Sequence, residues 1–413
     1  MNRERRIVNR LTAQLVLLTA AALLACQASP PRGADGEWAG TVDTLASGRL
    51  VVRNPDAALW RPGEAWELRE RFRLGAMDGD GVDVFGDIVD VELGPDGALY
   101  VLDAQASEVR VFGSDGTHLR TFGRSGRGPG EFSHAAGMAF DAHGTLWVMD
   151  WGNARYSGFD PNTGALVKEA RRLASFAMVP WPGRFDRSNA ALDVGLGQDG
   201  RPVILGLDSA FAPRDTLPLP QLDEAHQVLF RRGDVPVMIM PVPFAPAPAW
   251  AAHPDGGIVV GVGHAYRLHR IDFRGDTALT IEVDRAPVPV TAAERDSAAA
   301  AFRERAARVA GAAPDREPRV PSTKPAHGML FVDDRSHLWV RRTQAAGDPP
   351  AWDVFDDAGR LLGQVAMPVM PAFVAPSVRG DRMAVVTRVD DVPTVVVYDI
   401  VRGRRSDARG SRR

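Results

Sequence analysis

Five polar side chains in this 413-residue chain have the types and spacing to bind a ligand or a metal ion. They are Asp87, Asp90, His134, Asp193 and His327. Carboxylate oxygens suit calcium and imidazole nitrogens suit zinc, so side chains of both kinds brought together would hold one of these ions or a small polar ligand. The alternative is that each side chain is hydrogen bonded in a turn or to water. No residue is assigned a catalytic role. The choice between a ligand site and these local hydrogen bonds depends on the elements that carry the five residues.

A repeat sets the positions of these residues along the chain. The segments GPDGALYVLD (94–103) and DAHGTLWVMD (141–150) share a polar turn, a glycine, a short apolar strand and a closing aspartate. Weaker copies occupy residues 197–206, 253–261, 333–341 and 379–387. The glycine of each copy, or the residue at its place, is Gly97, Gly144, Gly200, Gly256, Ser336 or Asp381, and four of the five intervals are 45 to 56 residues long. A period near this size is typical of a four-stranded propeller blade.

The copies continue into further short strands. Asp-Gly and Asn-containing turns follow, as in VRVFGSDG (109–116) and YSGFDPNTG (156–164), and such turns favour antiparallel hairpins. Strands this short cannot bury a face alone, so radial packing of successive meanders is the simplest way to bury them. The sequence therefore predicts an all-β chain of blades around a channel.

The first strand of each blade is expected to line that channel. Alignment of the copies places Asp87 and His134 at one equivalent position, where these strands begin. Asp90 and Asp193 fall three residues further along their strands, and His327 falls near the level of the first pair. Convergent polar groups in a concavity form the default ligand site. We therefore expect the five residues at one mouth of the channel, with calcium or zinc as the metals that they could hold.

The one interval of 80 residues contains a predicted helix. Thr291 and Glu294 form a capping-box pair ahead of an alanine-rich run that ends at Gly311. The pattern predicts a helix over 292–310, within an insertion of about 291–325 between the fourth and fifth blades. This insertion is either a lid or partner-docking element, or a tolerated addition.

The stretch FGRSGRGPGEF (122–132) resembles a phosphate-binding loop only superficially. A dinucleotide fingerprint needs G-x-G-x-x-G between a strand and a helix. Here Gly126, Gly128 and Gly130 give G-x-G-x-G, and the next segment is a strand. The glycines are expected to supply the backbone freedom for a crossing between two blades.

Residues 126–160 closely resemble an NHL repeat, in which a glycine-rich crossing precedes a V-x-D-x-G-N-x-R segment. The matching positions are Val148, Asp150, Gly152, Asn153 and Arg155. The resemblance is strong in this unit, fair in the preceding one and degenerate elsewhere over residues 65–400. It implies a six-bladed β-propeller, here residues 63–403, as in bacterial NHL-like lipoproteins.

The same alignment predicts how the ring closes. Residues 66–74 alternate apolar and charged side chains, with Glu70 as the one break, which is typical of a half-buried strand. They precede a segment that matches the glycine-rich crossing. This strand should be the outer strand of the sixth blade, beside strands near 382–387 and 394–400.

The start of the chain has the charge order of a secretory signal. Four arginines precede an apolar run of about 15 residues, shorter than the roughly 20 that span a membrane. The run ends in Leu-Leu-Ala before Cys26, the only cysteine, and resembles a bacterial lipobox. We expect residues 1–25 to be removed, Cys26 to be lipidated, and 26–62 to be a linker. The protein would then lie in the envelope of a Gram-negative-type bacterium, at the outer membrane, facing the periplasm or the exterior.

Charge argues against nucleic acid as a partner. The formal net charge is −3, and the arginine-rich segment 404–413 is expected to be a disordered tail. The predicted partners are the membrane, through Cys26, and a protein, carbohydrate or small-molecule ligand, with the protein itself a monomer.

Three functions follow from these observations, and the third of them is an extracytoplasmic sensor or carbohydrate-binding module. The first is a binding or scaffolding module. The second is a hydrolase or lyase with a metal in its channel, because NHL-like relatives include gluconolactonase-type enzymes with calcium and peptide-amidating lyases with zinc. The chain matches neither set of metal ligands residue by residue.

Overall fold

The computed structural model describes residues 38–403, except 62, 80, 177, 179, 182, 183, 310, 369 and 371–373. The expected signal 1–25, the lipidation site Cys26 and the tail 404–413 lie outside the described residues. Within the described part of the chain, no helix has the length and hydropathy to cross a bilayer.

The described strands form six sheets, here called blades 1 to 6, and a smaller seventh sheet. The chain begins with β1 (Thr41–Thr44), β2 (Leu50–Pro55) and β3 (Glu67–Leu74). Blade 1 contains β4 (Ile88–Leu93), β5 (Leu99–Asp103), β6 (Glu108–Phe112) and β7 (His118–Phe122). Blade 2 contains β8 (Ala135–Phe140), β9 (Leu146–Asp150), β10 (Arg155–Phe159) and β11 (Leu166–Arg171). Blade 3 contains β12 (Ala191–Leu196), β13 (Pro202–Leu207) and β14 (Pro213–Pro218).

The second half of the chain adds three blades and the seventh sheet. A hairpin of β15 (Gln227–Arg232) and β16 (Val235–Pro241) precedes blade 4, which contains β17 (Ala249–Ala252), β18 (Ile258–Gly261), β19 (Arg267–Ile271) and β20 (Thr277–Asp284). Helix α1 (Ala292–Ala307) and β21 (Ala313–Pro314) follow. Blade 5 contains β22 (His327–Val332), β23 (Leu338–Arg342), β24 (Ala351–Phe355) and β25 (Leu361–Ala366). Blade 6 contains β26 (Ser377–Arg379), β27 (Arg382–Val389), β28 (Val392–Val401) and β3.

Six buried apolar clusters join the blades into a ring. Successive side chains of a strand point to opposite faces of its sheet. On β5, Tyr100 and Leu102 therefore pack against blade 2, while Leu99 and Val101 pack against blade 6. The other four clusters join blades 2 and 3, 3 and 4, 4 and 5, and 5 and 6 in the same way. The architecture is a β-propeller, and each blade is buried on both faces.

Strand β3 closes the ring as the outer strand of blade 6. It pairs antiparallel with β28, from Leu74 opposite Val395 to Glu67 opposite Val401. A bulge lies between the pairs Phe72–Val397 and Glu70–Tyr398, so Arg71 has no partner in the register. The extra residue explains why the alternation in the sequence breaks next to Glu70.

The glycine-rich stretch 122–132 is the predicted crossing, and it joins β7 to β8. Glu131 accepts hydrogen bonds from the Gly128 N–H (2.7 Å) and from Arg124 Nε (2.8 Å). Asn153 donates to the Gly126 carbonyl (3.0 Å). The buried carboxylate of Asp150 accepts the main-chain N–H groups of residues 133, 134, 152 and 153. The motif residues thus fix the crossing by hydrogen bonds.

The structure differs from the expected repeat in one turn and in one interval. The residue with positive φ between β26 and β27 is Gly380 (φ 62°), one position before Asp381. The interval from Gly200 to Gly256 contains the hairpin β15–β16, where longer loops were expected, and the described part of blade 3 has three strands. A local pattern does not reveal that a hairpin leaves its blade for another sheet.

That hairpin and the predicted helix form one insertion. The sheet order is β16–β15–β21, and Phe302 of α1 packs in a small core of its own with Val228, Phe230 and Met240. Thr291 and Glu294 form the predicted capping box, and the helix ends at Ala307 rather than at 310. The insertion is therefore built from two chain segments, one that precedes blade 4 in the sequence and one that follows it.

Residues 38–60, expected to belong to a linker, pack on the propeller. The hairpin β1–β2 extends blade 4, with β2 parallel to β20. The buried side chain of Asn54 accepts the Leu361 N–H (2.8 Å) and donates to the Gly359 carbonyl (3.0 Å) on blade 5. Because the outer edge of blade 4 offers unpaired backbone groups, a segment from far earlier in the sequence can add to it.

Candidate ligand-binding site

A cavity lies between the first strands of several blades. It has a volume of about 690 Å³ and is bordered by β4, β8, β17 and β22. A second cavity of about 270 Å³ is bordered by β4, β8, β12, β17 and β26. It shares Glu92, Arg184 and Ala252 with the first. The first strands of all six blades therefore line the channel, as the alignment predicted.

Most of the large side chains in the wall are apolar. The largest of them are Met138, Met178, Trp181, Phe244, Trp250, Met329 and Phe331. Trp181 comes from the crossing between blades 2 and 3, and it joins the two inner strands: its N–H donates to the Ala136 carbonyl (2.5 Å) and its indole to the Leu192 carbonyl (3.1 Å). A Cβ at Gly137 would lie 2.7 Å from the Trp181 Cβ, so glycine there permits this close approach.

Two carboxyl groups lie on the channel face of β4. Asp90 and Glu92 are two residues apart and share that face. Asp90 accepts the N–H groups of Met138 (2.6 Å) and Val91 (2.9 Å). Burial and the neighbouring Glu92 carboxylate hold the pKa of Asp90 well above its usual range. Burial also raises the pKa of Glu92, although Arg184 partly offsets this effect.

Arg341 is the cation in the cavity that lacks a partner. Its side chain makes no hydrogen bond or ion pair with a described residue. By contrast, Lys324 donates to Glu294 (2.6 Å) and Arg342 donates to Asp353 (3.2 Å). Although Arg341 as a whole is exposed, the loss of water around its guanidinium lowers its pKa from the usual value, and an arginine remains protonated in proteins. The cavity therefore contains a guanidinium group that is free to bind an anion.

Gly328 makes room for this guanidinium. A Cβ at Gly328 would lie 2.7 Å from Arg341 Nε, so the arginine crosses the inner strand β22 at a residue without a side chain. Arg341 itself lies on the second strand, β23, and reaches the cavity by that path.

Of the five residues expected to converge, the structure places Asp90 and His327 at the cavity. The His327 side chain is only 3% exposed, and its Nε2 has no partner among the described residues. A Cβ at Gly261 would lie 2.7 Å from Nε2, so that atom points at the backbone of β18. Burial lowers the pKa of His327, and the imidazole is neutral near pH 7.

The other three residues lie elsewhere. Asp193 is 1% exposed and forms an ion pair with Arg172, whose Nε lies 2.7 Å from Oδ2; Tyr156 donates to the same carboxylate. Asp87 and His134 occupy equivalent positions before β4 and β8, as aligned, and their N–H groups donate to the closing aspartates Asp103 and Asp150.

The side chains of this equivalent pair face outward. Both Asp87 and His134 are exposed, and neither lines a described cavity. The His134 ring packs on Trp151, with 4.5 Å between centroids. The five residues do not form one site, because the closing aspartates bind the main chain at these two positions and leave the side chains to solvent.

Sequence reasoning missed Arg341 and the aromatic wall. The available signal was the pair of arginines that ends the apolar strand LWVRR. Aligned on Ser336, Arg341 falls where the first three copies of the repeat have an apolar residue, namely Leu102, Met149 and Leu205.

Comparison with known proteins yields structural neighbours only. No protein-family model matches the sequence, and no curated protein matches it. Three similar solved structures are a DUF4221 family member from Bacteroides vulgatus, a catalytically inactive virginiamycin B lyase from Staphylococcus aureus with quinupristin, and the gluconolactonase XC5397 from Xanthomonas campestris. Their identities to this chain are 9%, 9% and 12%, and the TM-scores are 0.44, 0.38 and 0.38.

The matches cover 82%, 78% and 77% of this chain and 99%, 82% and 88% of the respective neighbours. The lyase and the gluconolactonase are β-propeller proteins. One architecture supports many unrelated activities, so the function of this chain has to be argued from its own cavity.

Proposed function

We propose that this protein is a binding module whose channel cavity takes a small ligand with an apolar body and one anionic group. The observation behind this proposal is Arg341, a guanidinium without a partner among the described residues, in a cavity walled mainly by apolar side chains. A guanidinium presents paired N–H donors that match a carboxylate or phosphate in a bidentate geometry.

The size and charge of the cavity agree with such a ligand. A volume of about 690 Å³ lies within the roughly 300–1,000 Å³ of sites for small molecules. The raised pKa of Asp90 means that this carboxyl is more readily neutral and repels an anion less. Met138, Trp181 and Trp250 offer apolar contact to the rest of the ligand. The cavity thus combines a specific polar contact with a non-specific apolar one.

The same proposal includes the cellular location and the family of the protein. We propose that the chain is an NHL-repeat-like lipoprotein, exported by residues 1–25 and anchored to the outer membrane through Cys26. The lipobox resemblance and the hydrogen-bonded crossing around Asp150 and Asn153 support it. Cys26→Ser should release the protein from membranes of its native host. Equal membrane association of this variant would contradict the anchor.

A pair of matched probes tests the binding function. Naphthalene-2-carboxylate and naphthalene-2-carboxamide differ in charge and share their apolar body. We expect titration calorimetry to show that the carboxylate binds more tightly, and that Arg341→Leu weakens its binding about 10- to 100-fold, the loss of one charge-assisted hydrogen-bonded pair. The affinity for the carboxamide should fall much less in this variant.

Two control variants accompany this test. Arg341→Lys keeps the charge and should retain part of the preference for the carboxylate. Arg201→Leu removes an exposed arginine of blade 3 and should change neither affinity. Equal weakening of both probes by Arg341→Leu would contradict a charge-based site.

The alternative function is a hydrolase or lyase with calcium or zinc in the channel. The donors at the cavity do not fit a metal well. Both Asp90 oxygens accept main-chain N–H groups, Glu92 accepts the Ser377 hydroxyl (2.9 Å), and His327 Nε2 points at Gly261. Loss of calcium or zinc binding on Asp90→Asn would favour the alternative. Binding that is unchanged in this variant would count against it.

A further inference from the structure

A second group of polar side chains lies outside the cavity, where the insertion meets blade 4. It consists of Asp223, His226 and His264, here called the histidine cluster. One ligand atom from each residue lies within 4.8 Å of the other two. Asp223 caps a 3₁₀ turn (Glu224–His226) before β15, and His226 is the last residue of that turn. His264 lies in the turn between β18 and β19.

Hydrogen bonds hold this turn in place, and they use one oxygen of the Asp223 carboxylate but neither imidazole. Asp223 caps the turn by accepting the Ala225 N–H (2.8 Å) with one carboxylate oxygen. The His226 carbonyl accepts the Val242 N–H (2.8 Å) from the end of the hairpin. Arg316 donates to the main-chain carbonyls of the turn rather than to the Asp223 carboxylate. The imidazole of His226 and the second oxygen of Asp223 are not used by these bonds.

The cluster has unsatisfied polar atoms. His226 Nδ1 is buried and has no hydrogen-bond partner among the described residues. The two imidazole rings lie 5.3 Å apart between centroids, and Asp223 forms no salt bridge with a described residue. A buried donor or acceptor left unpaired costs about 1–3 kcal/mol, so its presence in a folded protein requires an explanation.

A second group with similar distances has its charges balanced. His253, Asp255 and Asp357 also lie within 4.8 Å of one another. Here Arg270 pairs with both carboxylates, at 3.0 and 3.1 Å, and His253 Nδ1 accepts the Asp255 N–H (3.1 Å). The ligand atoms are therefore already occupied. In the histidine cluster no arginine pairs with the Asp223 carboxylate, and neither imidazole accepts a main-chain N–H from a described residue. That difference singles the cluster out.

We propose that Asp223, His226 and His264 bind one zinc-type divalent ion. Two imidazoles and a carboxylate suit zinc and related transition metals, and three protein ligands leave a fourth position for water or another ligand. Coordination would give the His226 imidazole a partner and offset the charge of Asp223 in one step.

The ion would join the insertion to the propeller. Two ligands come from the segment that leads into the hairpin β15–β16 and the third from blade 4. The insertion has only a small core, and Ala245 belongs both to that core and to the cavity wall. His264 follows Gly263, whose carbonyl accepts the Ala326 N–H (2.8 Å) beside the cavity-lining Pro325. The metal would thus stabilise the insertion where it adjoins the cavity.

Metal binding by the full chain tests the proposal. After treatment with a chelator and dialysis, titration with Zn²⁺ should give one equivalent of tight binding, and Co²⁺ should give the visible absorption of a low-coordinate site. His226→Ala and His264→Ala should each weaken Zn²⁺ binding at least tenfold, since even outer-shell changes cost about 10- to 100-fold. Zn²⁺ should raise the melting temperature of the natural sequence and not that of these variants.

Matched controls separate this site from other histidines. His143→Ala removes an exposed histidine of blade 2 and should leave Zn²⁺ binding unchanged. His253→Ala tests the balanced cluster and should also leave it unchanged. Asp223→Asn keeps one oxygen and should weaken binding less than His264→Ala. Absence of stoichiometric binding to the natural sequence, or binding unaffected by both His226→Ala and His264→Ala, would overturn the proposal.

The result of the metal titration does not depend on whether the channel cavity binds a ligand. The naphthalene carboxylate titration reports on Arg341 with or without Zn²⁺, whereas the metal titration reports on the histidine cluster alone.

Discussion

At the scale of single residues, buried ionisable groups make the protein sensitive to acid. His253 is almost fully buried, and burial, with the nearby Arg270 and Arg187, lowers its pKa to about 4. In the unfolded chain the value returns to about 6.5. Between about pH 4 and pH 6.5, this histidine therefore binds a proton more readily in the unfolded chain than in the folded protein. The contribution of this histidine to the free energy of unfolding is fully present above pH 6.5 and is lost as the pH falls through 4.

We expect His253→Asn to flatten the fall in stability between pH 6.5 and pH 4. The change removes a titration that costs the natural sequence at most about 3 kcal/mol over this range, and asparagine keeps an acceptor near the position of Nδ1. Urea unfolding at a series of pH values measures the slope, and His143→Asn on the surface is the control. A slope equal to that of the natural sequence would contradict the assignment.

Individual site residues were only partly predictable from the sequence. Asp90 and His327 were placed correctly near the channel because a strand position follows from the repeat. Asp193 follows the same repeat but pairs with Arg172, which belongs to the preceding blade. Arg341 lies on a second strand and reaches the cavity across Gly328. Neither contact has a local signature, since both depend on how two strands pack.

At the scale of elements, the crossings between blades depend on buried aspartates. Asp150 accepts four main-chain N–H groups and the Asn153 side chain, and Asp103 accepts the corresponding N–H groups in blade 1. A carboxylate in such a position organises a loop and the start of the next inner strand together.

Asp150→Ala should therefore destabilise the protein by about 3–5 kcal/mol, because several buried N–H donors lose their acceptor at once. Chemical denaturation measures the change. The control is Asp199→Ala, in an exposed turn where the carboxylate accepts one N–H, and it should cost less than about 1 kcal/mol. Similar losses in the two variants would show that the crossing does not depend on Asp150.

Elements with local signals were predicted well and those defined by distant pairing were not. The capping box of Thr291 and Glu294 identified the start of α1, and alternation identified β3, because both signals depend on neighbouring residues. The hairpin β15–β16 and the addition of β2 to β20 were missed. Their partners lie far away in the sequence, and an apolar run does not indicate which sheet edge it will join.

At the scale of the whole molecule, stability depends on closure of the ring. Strand β3 covers the outer edge of β28, whose Val395 and Val397 are buried in the cluster between blades 6 and 1. Without β3 an apolar strand edge would be exposed.

A chain that begins at residue 76 should lose its single cooperative unfolding transition, because two blade interfaces would open at once. A chain that begins at residue 47 lacks only β1 and the residues before it, and should unfold cooperatively with a modest loss of stability, since β1 is exposed along its length. Denaturant titration followed by circular dichroism compares the two. Cooperative unfolding of the shorter chain would contradict closure by β3.

The docking of the first described residues on blade 4 also fixes the length of the proposed tether. The Trp38 indole donates to Asn54 (2.9 Å), which is itself held between blades 4 and 5. Only eleven residues lie between Cys26, the proposed lipid site, and Trp38. A chain of this length reaches at most about 40 Å. This distance is close to the thickness of a bilayer with its headgroups. An anchored propeller would stay within that distance of the membrane surface, with the edges of blades 4 and 5 attached nearest to it, and a ligand leaving the same surface would meet the cavity at a raised local concentration.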